Sequence, residues 1–250
     1  MNKLLIEKGI VHYTFPPYLP RCHFNDSITV LVDGGRALFI DAGYESEAEQ
    51  ALQDLEAQGL ELKGVIVSHF HDDHMQGLKV LPRVPVYGSA RYQETLNMWN
   101  EKAEHPFFAP SVKVGAPYSF HFGRHRLEII PFPGHSICTV LTCIDGKYLH
   151  IADELMFGDE GLPLLPIPDA HAFARQAGAL EALREYADLV FIPAHGPVFS
   201  GRERILREID CRIAYLSAVT HSDRELAYAE AAKDCGCSFQ HSEWHRFNYE

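Results

Sequence analysis

The segment His69-Phe70-His71-Asp72-Asp73-His74 constrains this chain more than any other stretch. It follows the apolar run Val65-Ile66-Val67 directly, so a short buried strand would deliver three imidazoles and two carboxylates into one loop. Imidazole and carboxylate together suit zinc, iron or manganese, and no cysteine is needed to close such a site. His69 and His71 alternate by two, so an extended loop points both the same way. Asp73 and His74 come after the chain turns and can address a second ion beside the first. Pro133-Gly134-His135, Ile151-Ala152-Asp153 and Ile192-Pro193-Ala194-His195 each follow a β-like segment too. All four pieces can therefore end at one sheet edge, making His69, His71, Asp73, His74, His135, Asp153 and His195 a candidate cage for two metal ions. Histidine is frequent here, 15 in 250 residues, but an accidental surface cluster would need neither the preceding strand nor the three later ligands.

At 250 residues the chain suffices for one large domain, expected over 1–250 with a helical extension at about 201–250. A formal net charge of -12 argues against a phosphate-tracking surface, so no nucleic-acid partner is expected. No apolar run approaches the roughly 18 residues of a membrane span, and Glu7 interrupts the short apolar N-terminal stretch. The cysteines at 22, 138, 143, 211, 235 and 237 show no paired framework. Reduced thiols and a cytoplasmic location are the expectation, with Cys235-Gly236-Cys237 as a lesser candidate for a soft-metal or redox pair.

Along the chain, Ile28 to Val32, the turn Asp33-Gly34-Gly35 and Ala37 to Asp41 read as a hairpin. Ser46 to Gln58 reads as an amphipathic helix stopped by Gly59. Strands are expected at Val65 to Ser68, Val84 to Tyr87, Leu127 to Phe132 and Leu189 to Ile192. Helices are expected at Ala90 to Trp99 and Ala172 to Tyr186, and a second hairpin at Thr139 to Ala152. Strands with interleaved helices in both halves imply an α+β, four-layer αββα sandwich, two mixed sheets face to face with helices on both outer faces. Arg202 to Ala218 and Asp223 to Asp234 read as two further helices, able to cap the domain or to form a homodimer interface.

With these motifs in place, the chain resembles the metallo-β-lactamase-fold superfamily of metallohydrolases over roughly residues 25–200. Leu38-Phe39-Ile40-Asp41-Ala42-Gly43 looks like the family's strand-plus-Asp-Gly signature. The resemblance implies that His69, His71 and His135 hold a first metal, that Asp73, His74 and His195 hold a second, and that Asp153 bridges both. It makes Asp41 a brace of the metal loop. Two divalent ions ~3.5–4 Å apart can share a hydroxide that attacks a carbonyl or phosphoryl centre, with Asp73 steadying it. Zinc is the first expectation, with iron or manganese compatible with the same donors. Asp72 is expected at the surface or as a partner of a ligand, His150 in a structural role, and His23 near the substrate loop as a candidate substrate contact.

The substrate is less legible. Loops at Tyr13 to Phe24, Asn97 to Pro117 and Phe157 to Ala170 are rich in proline and aromatics, which favours a small, partly apolar substrate over a polyanion. The ligand set resembles that of glyoxalase II, whereas true β-lactamases lack the bridging aspartate. The basic row Arg202, Arg204, Arg207 and Arg212 does not match a glutathione site closely, and no tyrosine follows Asp153 as in acyl-homoserine lactonases. A metal-dependent hydrolase of an ester, thioester or lactone is the leading expectation. A phosphodiesterase with the same site and a mononuclear iron persulfide dioxygenase are the alternatives.

Overall fold

The computed structural model describes the chain apart from residues 18–23, 223 and 250. Seven strands form a first sheet in sequential order: β1 (Asn2–Glu7), β2 (Ile10–Phe15), β3 (Asp26–Asp33), β4 (Arg36–Ile40), β5 (Glu61–Ile66), β6 (Val86–Ser89) and β7 (Val112–Val114). It is antiparallel up to β4 and parallel from β4 to β7. A second sheet of five runs β12-β11-β10-β9-β8, built from β8 (Tyr118–Phe122), β9 (His125–Pro131), β10 (Val140–Ile144), β11 (Tyr148–His150) and β12 (Val190–Ile192). Only its β11–β12 pair is parallel. The helices are α1 (Glu45–Ala57), α2 (Asp72–Met75), α3 (Tyr92–Trp99), α4 (His105–Phe108), α5 (Phe173–Leu183), α6 (Arg202–Thr220) and α7 (Tyr228–Ala231).

Strand alternation explains the layering, because successive side chains leave opposite faces. On β4, Ala37 and Phe39 pack with Ala48, Ala51 and Leu55 of α1, while Leu38 and Ile40 face the second sheet. Opposite them stand Leu127 and Ile129 of β9, Val140 and Ile144 of β10, and Ile192 of β12. Leu141 and Leu149 leave the other face to pack with Leu180 and Leu183 of α5 and with Ile205 and Ile209 of α6. Three apolar layers between four structural ones are the αββα sandwich.

The tail departs from its expected pattern. The helix expected at Asp223 to Asp234 shrinks to the single turn α7, and the chain finishes in a 3-10 segment, Ser242–Asn248. Tertiary contacts hold it there. Cys237 is disulfide-bonded to Cys211 on α6, the backbone N–H of Gln240 donates to Pro163 O, and Asn248 Nδ2 donates to Pro166 O. That disulfide corrects the expectation of reduced thiols throughout, and the partner of Cys237 is Cys211, not Cys235. Two members of the basic row on α6 are engaged within the chain: Arg212 is fully buried, donating to Met156 O at 2.6 Å, and Arg202 pairs with Asp188. Among the described residues no helix is long and apolar enough to cross a membrane.

Each of the three expected substrate loops turns large rings inward. Tyr13 and Phe15 lie in β2 with 1% exposure, and Phe108 and Phe157 are equally buried, so these rings belong to the core. His23 and Tyr18 lie outside the described residues.

Candidate metal centre

Every cage residue lies on the segment that follows a strand end, where the backbone has left its ladder and side chains can turn inward. After β5, the chain bends through Ser68 to His71, with His71 itself extended, before α2 carries Asp73 and His74. The β9–β10 connection supplies His135, the end of β11 supplies Asp153, and the end of β12 supplies His195. Two backbone devices permit this. Ala152 takes a left-handed φ of 49° immediately before Asp153, and Gly134 leaves room for the Glu154 carboxylate, which a Cβ there would meet at 2.3 Å.

The ligand atoms converge in two groups, His69, His71, His135 and Asp153 in one, Asp73, His74 and His195 in the other, each with donors within 4.8 Å of one another. Asp153 lies between them. Its Oδ2 is 3.7 Å from His69 Nε2, 3.8 Å from His135 Nε2 and 3.4 Å from His195 Nε2, and its Oδ1 is 3.5 Å from His74 Nε2. His195 Nε2 and His74 Nε2 also stand 3.3 and 3.5 Å from the Asp73 carboxylate.

Outer partners fix which imidazole nitrogen faces inward. His71 Nε2 donates to Asp169 Oδ1 at 2.9 Å, His74 Nδ1 donates to Asp41 Oδ2 at 2.9 Å, and His195 Nδ1 donates to Asn25 O at 2.9 Å. His69 Nδ1 donates to Ser68 Oγ at 3.2 Å, which in turn donates to Asp41. In each case the other nitrogen carries its lone pair toward the bay, the arrangement a metal ligand requires. His74 Nε2, His195 Nε2 and Asp153 Oδ1 are buried with no hydrogen-bond partner among the described residues. Such atoms are costly to leave unpaired, so their convergence fits a cation at the centre.

The electrostatics agree. Burial holds His69 well below its ordinary pKa and lowers His135 to about 4, so both are neutral bases at physiological pH. Burial also acts to discharge His74 and His195, but the facing carboxylates Asp73 and Asp153 outweigh it and raise both. Those carboxylates call for positive charge between them, which divalent ions supply as well as protons do.

Asp41 is fully buried with a φ of 63° and accepts from Ser68 N at 2.7 Å, Ser68 Oγ at 2.8 Å and His74 Nδ1, which ties the end of β4 to the histidine loop. Asp72 is exposed and outside both groups, and His150 is buried in β11 outside them too. Sequence spacing missed three carboxyl groups. Asp169 stands 98 positions from the His71 that it orients, Glu154 accepts from His135 N, and Asp26 lies 3.5 Å from His195 Nδ1. The adjacency of Glu154 to Asp153 is the one available hint. Burial raises its pKa to about 8.

The fold has clear relatives. A TMB-1 structure is 20% identical with a TM-score of 0.70, covering 86% of this chain and 98% of its own. A metallo-beta-lactamase from Pontibacter korlensis is also 20% identical, with a TM-score of 0.71 over the same shares. A DIM-1 metallo-beta-lactamase exposed to ceftazidime is 18% identical, TM-score 0.68, covering 85% of this chain and 95% of that one. At these identities the likeness shows the fold alone. The sequence model of the metallo-beta-lactamase superfamily matches residues 24–195, a stretch that holds every residue of the two groups, and the chain therefore belongs to that superfamily.

Proposed function

We propose that this protein is a metal-dependent hydrolase that uses two divalent ions, zinc foremost, to cleave a small ester, thioester or lactone. The observation that carries the reading is the position of Asp153, whose two oxygens lie 3.4–3.8 Å from histidines of both groups. His69, His71 and His135 would hold one ion, Asp73, His74 and His195 the other, and Asp153 would bridge them. Bound there, the ions would supply water acidified toward neutrality and a Lewis acid for the oxygen that gathers charge.

The chain's own residues supply the rest. Asp73 is the more exposed of the two cage carboxylates, 18% against 4%, so its oxygen is placed to accept a hydrogen bond from the attacking water and aim it. Asp169, Asp41, Asn25 and Ser68 hold four imidazoles in one tautomer, so no reorientation is needed as charge develops. No serine or cysteine nucleophile is required.

The test combines metal quantification with turnover of p-nitrophenyl esters, thioesters, lactones and phosphodiesters. Two divalent ions per chain with carbonyl ester, thioester or lactone turnover is the expected result. Turnover confined to phosphodiesters would replace the substrate class. One iron per chain with oxygen uptake would refute the hydrolase.

A further inference from the structure

Only two cage side chains are open to solvent, His71 at 20% and Asp73 at 18%, while the other five are at 9% or less. Substrate must therefore enter beside His71 and Asp73. At that mouth stands Trp99, the last residue of α3, 59% exposed, its ring perpendicular to the His71 imidazole at 6.1 Å between centroids.

The indole is not a loose surface ring. Its Nε1 donates to Asp169 Oδ1 at 3.2 Å, the same oxygen that accepts from His71. The next residue, Asn100, donates from Nδ2 to Asp72 Oδ1 at 2.8 Å, which ties the end of α3 to the metal loop. Further back, Leu96 is fully buried and Thr95 Oγ1 is 2.9 Å from Ser136 Oγ beside His135. A tryptophan fixed this firmly, yet showing most of its surface at an opening, presents a rigid apolar wall at little entropic cost. Among the described residues, the charged groups tied into this opening are Asp72, Asp73 and Asp169, and Arg175, which reaches this loop, is taken up by Gly134 O, His135 O and Asp169 O. Carboxylates and an indole discourage an anionic arm and accept an uncharged apolar one.

We propose that Trp99 is the wall that receives the apolar arm of the carbonyl substrate, fixed at the mouth by Asp169, which also positions His71. This rests on the hydrolase reading above and narrows its substrate to compounds with an extended acyl or aryl arm.

The experiment has two halves. The chain has 2 tryptophans, so Trp244→Phe in the metal-loaded protein leaves Trp99 as the only indole, and straight-chain carboxylates from acetate to octanoate are titrated against its fluorescence. Affinity should rise about twofold per methylene, half the step of full burial because one wall covers one side. In parallel, Trp99→Ala should lower kcat/KM for p-nitrophenyl octanoate about tenfold relative to the acetate ester, through KM, with Trp99→Phe restoring most of it. A carboxylate affinity independent of chain length overturns the proposal. So does a Trp99→Ala variant that loses both esters equally along with metal, since that marks a merely structural tryptophan. Failure of the metal-loaded parent to turn over any carbonyl ester, thioester or lactone would strike the hydrolase reading, while the titration, which needs no turnover, still decides Trp99.

Discussion

Replacing Asp41 by Asn changes one atom and, on the two-ion proposal, should weaken the hold on the ion assigned to His74. Asp41 accepts three hydrogen bonds, from Ser68 N on Oδ1 and from Ser68 Oγ and His74 Nδ1 on Oδ2. An asparagine can satisfy only part of this set. With its NH2 toward His74, the imidazole must move its proton from Nδ1 to Nε2, which points the proton at the bay and removes the lone pair. With the amide flipped, NH2 confronts the Ser68 N–H instead. Either arrangement loses a charge-assisted bond in a fully buried position, so unfolding stability should fall by about 2–3 kcal/mol. Affinity for one ion should fall about 10- to 100-fold, the usual consequence of losing a partner that orients a ligand histidine. The assay is metal content per chain after dialysis against a graded chelator, alongside chemical denaturation of the same samples. Two metals held at parent affinity by Asp41→Asn would refute the tautomer argument, whatever happened to stability.

Asp153→Ala should lower metal content and turnover together, and unchanged turnover at full metal loading would count against bridging. His12 should shape acid stability, because burial, with a smaller contribution from His150, lowers its pKa from 6.5 to about 3. Between those values the unfolded chain binds the extra proton, so stability falls as pH drops below 6.5, by about 2 kcal/mol at pH 5. His12→Leu should lose that much less than the parent between pH 7 and 5 in denaturant titrations, and parallel pH profiles would contradict it. Cys211→Ser opens a link across a sequence separation of 26 and should cost about 3.5 kcal/mol by loop entropy. Denaturation with and without dithiothreitol checks this, because the parent should weaken on reduction and the variant should not.

The sequence carries the centre of this protein better than its margins, for a physical reason. The β3–β4 hairpin and α1 follow local rules, Gly34 and Gly35 accepting positive φ and Ala48, Ala51 and Leu55 recurring on one helical face, so both appear within two residues of their expected bounds. Strand ends carrying His69, His135, Asp153 and His195 are legible because each ligand is adjacent to the apolar run that delivers it. Asp169 is not, since its partner His71 is brought to it only by the docking of two distant segments. The tail fails for a similar reason, as Asp223 to Asp234 has helical composition but the Cys211–Cys237 link and the Pro163 and Pro166 contacts set its path. The aromatic loops are only half legible, because Tyr13, Phe15, Phe108 and Phe157 are large enough to be core and sequence cannot say which ring turns inward.

The cage is also a seam. His69, His71, Asp73 and His74 hang from the first sheet, His135, Asp153 and His195 from the second, and hydrogen bonds join the halves nearby, among them Val140 N to Ser68 O at 2.7 Å and Ser27 Oγ to Ala194 O at 2.6 Å. A cation seated there acts as a rivet between the sheets. It can be gripped only after they have come together, so it rewards the assembled state alone and its binding free energy adds to the cohesion of the whole molecule. Stripping the ions should therefore loosen the sandwich along this edge first, leaving each sheet with its own helices intact.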